Sequence, residues 1–145
     1  MCGIAGGFGR TDSPLIERRL IAALDLMRHR GPDDNGHETN RTDAGTVSIG
    51  QNRLSIIDLS ERGHQPMLSE DGSLVIVFNG EVYNYRELRE ELRALGHRFR
   101  SDSDTEVLLT AWAQWGKSCL TRIKGMFAFA VHDRRAQTMT CVRDA

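Results

Sequence analysis

The sequence predicts a mixed fold of α-helices and β-strands, because helical and strand-like patterns alternate along its 145 residues. Residues 74–78 form a valine-rich apolar run, typical of a strand that is buried on both faces. Two later segments, 84–95 and 103–115, place apolar residues on one helical stripe behind a capping signal. The strands are spaced too irregularly for a simple Rossmann repeat, and neither a glycine-rich dinucleotide motif nor a P-loop is present.

The first half of the chain predicts one helix among short strands. Residues 4–8 indicate a strand interrupted by glycines, and Pro14 opens a helix whose apolar residues recur at helical spacing as far as Met27. We expect a loop at 30–36. Short strands are predicted at 45–50 and 53–57.

The Asn79-Gly80 dipeptide is expected to end the buried strand, because this pair is common in tight turns. Asn84 is then the predicted N-cap of a helix that Gly96 ends.

Ser103 and Glu106 form a capping-box pattern ahead of a second helix, which Gly116 ends. Strands at 126–131 and 138–142, joined by a polar turn, complete the chain.

Composition favours a single domain that acts on a small molecule. A net charge of -1 and a pI near 6.5 provide no basic surface for nucleic acid or an anionic membrane. The absence of a signal-peptide pattern and of an apolar stretch of ~18 residues predicts a cytoplasmic location.

The cysteines and histidines do not indicate a metal site. Three widely spaced cysteines argue against a disulfide framework and a zinc site, and we expect Cys119 and Cys141 to be ordinary core or near-surface residues. The histidines lack metal-ligand spacing and are expected to be structural or exposed: His29, His37, His64, His97 and His132.

Cys2 follows Met1 directly, so removal of Met1 would leave a cysteine that carries both a thiol and a free α-amino group. An α-amino group has a pKa of about 7.7–8.0 and can accept the thiol proton near neutral pH. If Met1 is retained, the nitrogen is an amide and cannot act as a base. On position alone, the alternative of a small buried apolar cysteine stays open.

Five segments together resemble the glutaminase domain of glutamine-hydrolysing asparagine synthetases, which are class II, N-terminal-nucleophile amidotransferases. The segments are Cys-Gly-Ile-Ala-Gly at 2–6, Arg-His-Arg-Gly-Pro-Asp at 28–33, Arg-Leu-Ser-Ile-Ile-Asp at 53–58, Asn-Gly-Glu-Val-Tyr-Asn at 79–84 and Ser-Asp-Thr-Glu at 103–106. The resemblance implies an α+β fold, the four-layer αββα sandwich of N-terminal-nucleophile hydrolases. It also implies that residues 1–145 are one glutamine amidotransferase type 2 domain, truncated and without the C-terminal synthetase domain. We expect an incomplete sandwich that is poorly stable or aggregates in isolation.

The resemblance assigns the site residues. It makes Cys2 the nucleophile and implies that Asn79 and Gly80 form the oxyanion hole, although a plain Asn-Gly turn is the alternative. The residues that it implies for binding glutamine are Arg53, Ile56, Ile57, Asn79, Glu81 and Asp104.

Within this set, Arg53 would hold the substrate carboxylate and Asp104 its α-ammonium. A surface ion pair is the alternative for Arg53, and helix capping is the alternative for Asp104.

The implied reaction is hydrolysis of glutamine to glutamate and ammonia through a cysteine thioester, and it needs no metal or cofactor. The ammonia would supply an ATP-dependent synthetase domain of the same chain, with ATP and Mg, that converts aspartate to asparagine. A homodimer is compatible with this interpretation. Two alternatives stay open: another carboxylate acceptor, or a non-catalytic glutamine-binding module if Met1 is retained.

Overall fold

Two antiparallel β-sheets lie face to face with helices on their outer sides. This architecture comes from a computed structural model, which describes residues 2–10, 14–42, 45–58 and 60–144. The first sheet has the order β1-β3-β2, built from β1 (Gly3–Gly9), β2 (Asp34–Thr42) and β3 (Gly45–Arg53). The second sheet has the order β4-β5-β6-β7, built from β4 (Met67–Leu68), β5 (Leu74–Val82), β6 (Gly125–Asp133) and β7 (Thr138–Arg143).

Within the described residues, three α-helices form the outer layers. Helix α1 (Pro14–Leu26) contacts β1 and β3, whereas α3 (Asp104–Trp115) packs on β5 and α2 (Tyr85–Ala94) packs on α3. In the described part of the chain, 3-10 helices connect the larger elements at Arg28–Arg30, Glu61–Gly63 and Gly116–Thr121. The order of layers is therefore helix, sheet, sheet, helix, which confirms the expected αββα sandwich.

Strand β5 explains why residues 74–78 are entirely apolar. Val75 and Val77 face the first sheet and pack with Ile49, while Ile76 and Phe78 face the helices. All four β5 side chains are at most 3% exposed. Burial on both faces, predicted from the sequence, is confirmed.

The predicted end of this strand at Asn79-Gly80 is wrong. Strand β5 continues to Val82, with Asn79 opposite Ala128 and Gly80 opposite Phe127. Gly80 has a φ of +150°, and a Cβ atom there would overlap the main chain of β6. Close approach of the neighbouring strand, rather than a turn, accounts for the glycine.

Two predictions around the first sheet are also wrong. The predicted strand at 53–57 does not form, because β3 ends at Arg53 and an irregular segment follows. The predicted loop at 30–36 ends early, since β2 begins at Asp34 and pairs with β3 along its whole length. Strand β2 is polar and lies at a sheet edge, so it has no apolar alternation by which to predict it.

The helix ends follow the predicted chemistry in part. Ser103 caps α3, its Oγ accepting from the Glu106 N–H at 3.2 Å. The Glu106 carboxylate instead accepts from the N–H groups of Arg100 (2.9 Å) and Ser101 (2.7 Å), so the reciprocal half of the capping box is absent among the described residues. Gly96 and Gly116, with φ of +96° and +56°, follow α2 and α3 as predicted.

Asn84 precedes α2 but does not cap it, which corrects the prediction. Its Nδ2 donates to the Arg122 carbonyl at 2.9 Å, and its Oδ1 accepts from the Lys124 N–H at 2.8 Å. The side chain therefore ties the start of α2 to the segment before β6.

None of the helices in the described part of the chain has the length and apolar character to cross a membrane.

Candidate active site

A cavity of about 220 Å³ brings together every residue to which the resemblance assigns a role. It opens where β1 and β3 of the first sheet meet β5 and the start of α3. Cavities for drug-sized ligands measure ~300–1,000 Å³, so this volume suits a smaller molecule such as an amino acid. The lining residues selected from the sequence are Cys2, Arg53, Ile56, Ile57, Asn79, Gly80, Glu81 and Asp104.

The Cys2 side chain is half-buried just before β1, and its sulfur contacts the main chain of Leu54. The Leu54 N–H donates to Sγ at 3.3 Å, and Sγ lies 3.7 Å from the Leu54 carbonyl oxygen. Both main-chain polar groups of Leu54 therefore contact the sulfur and hold it at the cavity. Met1 lies outside the described residues.

Arg53, the last residue of β3, is 8% exposed. Its Nη1 donates to the Ser60 carbonyl at 3.1 Å, and its Nη2 donates to the Asp58 carbonyl. Arg53 is therefore buried and bonded to main-chain carbonyl groups, and, among the described residues, it does not form the surface ion pair that was the alternative. Gly63 lies against the guanidinium, and a Cβ atom there would overlap it.

Asp58 holds the segment after β3 in place. Its carboxylate accepts from the Ser60 N–H at 2.8 Å and from the Asp102 N–H at 3.0 Å. Burial alone would raise the pKa of Asp58, but the hydrogen bonds from Ser60 and Asp102 and the charge of Arg53 hold the pKa below its usual value. The charged carboxylate thus connects this segment to the residues that precede α3.

The edge of β5 that faces away from β6 presents main-chain N–H groups to the cavity. The Tyr83 N–H donates to the Lys124 carbonyl at 2.7 Å, across the β5–β6 ladder. Because main-chain N–H groups alternate in direction along a strand, the even-numbered residues of β5 direct theirs away from β6. Accordingly, the Phe78 N–H donates to Gln65 at 2.7 Å and the Val82 N–H to Asp104 at 2.9 Å. The N–H of Gly80 lies between these two and points to the same open edge.

Asn79 lies beside this donor and also lines the cavity. Its Oδ1 is buried and has no hydrogen-bond partner among the residues that the structure describes.

Asp104 is the first residue of α3 and is 5% exposed. Burial raises the pKa of its carboxyl, and the nearby charge of Glu81 raises it too, while hydrogen bonds from the N–H groups of Val82, Thr105 and Asp104 itself oppose the rise. Ser103, and not Asp104, provides the N-cap of α3. Asp104 and Glu81 together form a negative side of the cavity.

Ile56 and Ile57 lie in the irregular segment that follows β3. Ile56 is 73% exposed, and both residues line the cavity. Cavity residues to which the resemblance assigned no role are Leu54, Asp58, Gly63, Gln65, Phe78, Tyr83, Ser103, Thr105 and Met126.

The remaining cysteines and the histidines lie outside this cavity. Cys119 is buried, which raises the pKa of its thiol to about 11, and Cys141 is exposed, as the sequence predicted. His132 is buried in β6, where burial lowers its pKa, and His64 contacts Asp34 at 2.8 Å. Within the described ranges, no three His, Cys, Asp or Glu side chains are grouped so that they could hold a metal ion.

Comparison with protein families identifies the domain. The glutamine amidotransferase domain family matches residues 1–145. The chain belongs to this family. Its relatives include asparagine synthetase [glutamine-hydrolyzing] 1 of Bacillus subtilis, 42% identical over 99% of this chain, and a putative asparagine synthetase [glutamine-hydrolyzing] of Mycobacterium bovis, 44% identical over 98%. The chain spans about 22% of the length of these curated relatives.

Two solved structures share the fold of this glutamine amidotransferase domain. The glutamine phosphoribosylpyrophosphate amidotransferase of B. subtilis, complexed with ADP and GMP, superposes with a TM-score of 0.77 at 21% identity. The match covers 97% of this chain and 37% of that one. A structure described as the allosteric regulatory enzyme of purine biosynthesis gives a TM-score of 0.71 at 22% identity over 97% of this chain and 37% of that one. The two solved structures therefore share the four-layer fold of this domain.

Proposed function

We propose that this domain hydrolyses glutamine to glutamate and ammonia, with the Cys2 sulfur as the nucleophile. The observation that carries the proposal is the composition of one small cavity: a thiol, an open main-chain N–H, a buried guanidinium and two carboxylates. These groups match the parts of glutamine, namely an amide to attack, a carboxylate and an ammonium. Membership of the glutamine amidotransferase family supports the same substrate.

Arg53 and Asp104 bind opposite ends of the amino-acid group. The guanidinium forms a planar fork suited to a carboxylate, and the two N–H donations to Asp58 and Ser60 leave three others. Asp104, aided by Glu81, supplies negative charge for the α-ammonium. Ile56 and Ile57 contribute main-chain contacts at the mouth of the cavity.

The chemical steps then run through Cys2. The sulfur forms a bond to the amide carbon, and the tetrahedral oxygen accepts from the Gly80 N–H and the Asn79 carboxamide; such donors are typically worth ~10²–10³ in rate each. The α-amino group of Cys2, free after removal of Met1, takes the thiol proton and passes it to the departing ammonia as the C–N bond breaks. Water then adds to the thioester, the C–S bond breaks, and glutamate leaves with the thiol restored.

In the full-length protein, we propose that this ammonia supplies an ATP-dependent synthetase domain that converts aspartate to asparagine. The relatives named as glutamine-hydrolysing asparagine synthetases support this acceptor, and so does their greater length. ATP and Mg would act in that domain, and no cofactor is needed for glutamine hydrolysis. A cytoplasmic location fits free glutamine and aspartate as substrates. Glutamine-dependent amidation of a carboxylate other than aspartate would favour the alternative acceptor.

The direct test is Cys2→Ala in the full-length natural protein. Glutamate release should fall by at least about 1,000-fold, since removal of a nucleophile is among the most damaging changes to an enzyme, while glutamine binding persists. Cys141→Ala is the matched control, because Cys141 is exposed and lies outside the cavity, and it should retain activity. Turnover retained by Cys2→Ala would point to another nucleophile.

Intact-mass analysis tests the requirement for a free α-amino group. A population that keeps Met1 throughout and still hydrolyses glutamine would contradict the proposed base. A population that keeps Met1, binds glutamine and does not turn it over would support the non-catalytic module instead.

A further inference from the structure

Gln65 is a buried side chain in the cavity wall, and the proposed reaction gives it no role. It is 5% exposed and lies two residues before β4. The β4–β5 register sets Met67 opposite Ile76, so the same register would place residue 65 opposite Phe78. Main-chain pairing between β4 and β5 ends before residue 65. The Gln65 side chain supplies a hydrogen bond in its place, because its Oε1 accepts from the Phe78 N–H at 2.7 Å.

The other end of the same carboxamide reaches α3. Its Nε2 donates to the Thr105 Oγ1 at 3.0 Å, and Thr105 is itself 4% exposed in the first turn of the helix. Phe78 immediately precedes Asn79, and Thr105 immediately follows Asp104. One buried side chain therefore bonds the two elements that present the oxyanion donors and the ammonium-binding carboxylate.

The attachment point on β5 is held from both sides. The Phe78 carbonyl accepts from the Gln51 Nε2 at 2.5 Å, so both main-chain polar groups of this residue bond to side-chain amides. Gly80 lies two residues further along the same open edge. A rotation of β5 about its own axis at Phe78 would therefore also change the direction of the Gly80 N–H. A misplacement of ~1 Å at a catalytic group can cost ~100-fold in rate, so a loose strand here would reduce catalysis.

We propose that Gln65 is a positioning residue for the oxyanion site: it replaces the missing ladder partner of β5 and fixes the Gly80 N–H relative to Asp104. This inference rests on the proposed glutaminase function. It assigns Gln65 no contact with the reacting atoms, and it predicts an effect on kcat rather than on glutamine affinity.

The test is Gln65→Met in the full-length protein, which conserves side-chain volume and removes both hydrogen bonds. We expect kcat for glutamine hydrolysis to fall ~10- to 100-fold, in line with the cost of misplaced donors, while KM changes less than about threefold. Thr105→Val removes only one of the two bonds and should give a smaller decrease. Gln65→Glu should recover most of kcat, because a protonated carboxyl can accept from Phe78 and donate to Thr105.

Val131→Ala provides the stability control. Val131 is 2% exposed in the core between β6 and the helices and does not line the cavity, so this variant should unfold at a lower temperature while keeping kcat. A Gln65→Met protein that loses stability but keeps wild-type kcat, or that raises KM alone, would overturn the inference. Wild-type protein that fails to hydrolyse glutamine would instead overturn the proposed function, and the positioning role with it.

Discussion

The cavity has two walls of different construction. The first, the sheet wall, consists of Asn79 and Gly80 on β5 and Asp104 on α3, which lie in regular elements tied to each other through buried side chains. The second, the loop wall, consists of Arg53 at the end of β3 and residues 54–58, where regular structure has ended and Ile56 is 73% exposed. The sheet wall takes its geometry from the fold, whereas the loop wall takes its geometry from a few local hydrogen bonds.

This difference separates the expected effects of substitutions on the two walls. In the loop wall, Arg53 is held in place by the carbonyl groups of Asp58 and Ser60. A change at these contacts should therefore alter glutamine affinity first. The oxyanion donors of the sheet wall act on the transition state, so their displacement should lower kcat. Asp104 is the informative exception, because it lies on the sheet wall but is proposed to bind the substrate.

Among substitutions that test the two walls, the largest effect is expected from Gly63→Ala, which acts on the loop wall through Arg53. The new methyl group would overlap the Arg53 guanidinium and displace it from the cavity. Loss of a buried charged partner costs ~2–5 kcal/mol, so KM for glutamine should rise at least about 30-fold with a smaller change in kcat. Gly7→Ala is the control, because its added Cβ meets only the Ile16 side chain at 3.3 Å and steady-state kinetics should stay near wild type. An unchanged KM in Gly63→Ala would mean that Arg53 does not hold the substrate.

Asp104→Asn should have the next largest effect. The amide keeps an acceptor for the Val82 N–H but removes the negative charge, so KM should rise about 10-fold or more, as for a hydrogen bond to a charged group. Asp25→Asn, on the exposed face of α1, should leave KM unchanged. A lower kcat with an unchanged KM would place Asp104 in the chemical step instead.

The same carboxyl predicts a pH dependence. Burial, with the charge of Glu81, raises the pKa of Asp104, so on acidification its charge is lost at a higher pH than for an ordinary aspartate. The value of kcat/KM, which reports on the free enzyme, should therefore decrease as the pH falls through this raised pKa. Asp104→Asn should lack that decrease, and a profile identical to wild type would contradict the assignment.

The sequence predicted the elements whose burial determines their amino-acid composition. Residues 74–78 are apolar because both faces of β5 are covered, whereas β2 escaped prediction because a polar edge strand is specified by its pairing with β3. The cavity residues were found through motif resemblance, and the structure brings four of the five motif segments together around the cavity. Gln65 and Gly63 were missed because their contacts with Phe78, Thr105 and Arg53 are tertiary. The Gln65 bonds span 13 and 40 residues, distances at which spacing alone predicts no contact.

The smallest effect is expected from Ser103→Ala, which tests how firmly the sheet wall is held. The substitution removes the α3 cap and should cost about 1 kcal/mol of folding stability, measured by denaturant unfolding of the full-length protein. Because the Val82 N–H still holds the Asp104 carboxylate, KM and kcat should each stay within about threefold of wild type. Ser118→Ala, an exposed serine in the 3-10 helix that follows α3, should change stability by less than about 0.5 kcal/mol. If Ser103→Ala raised KM as strongly as Gly63→Ala, the sheet wall would depend on local contacts as much as the loop wall does.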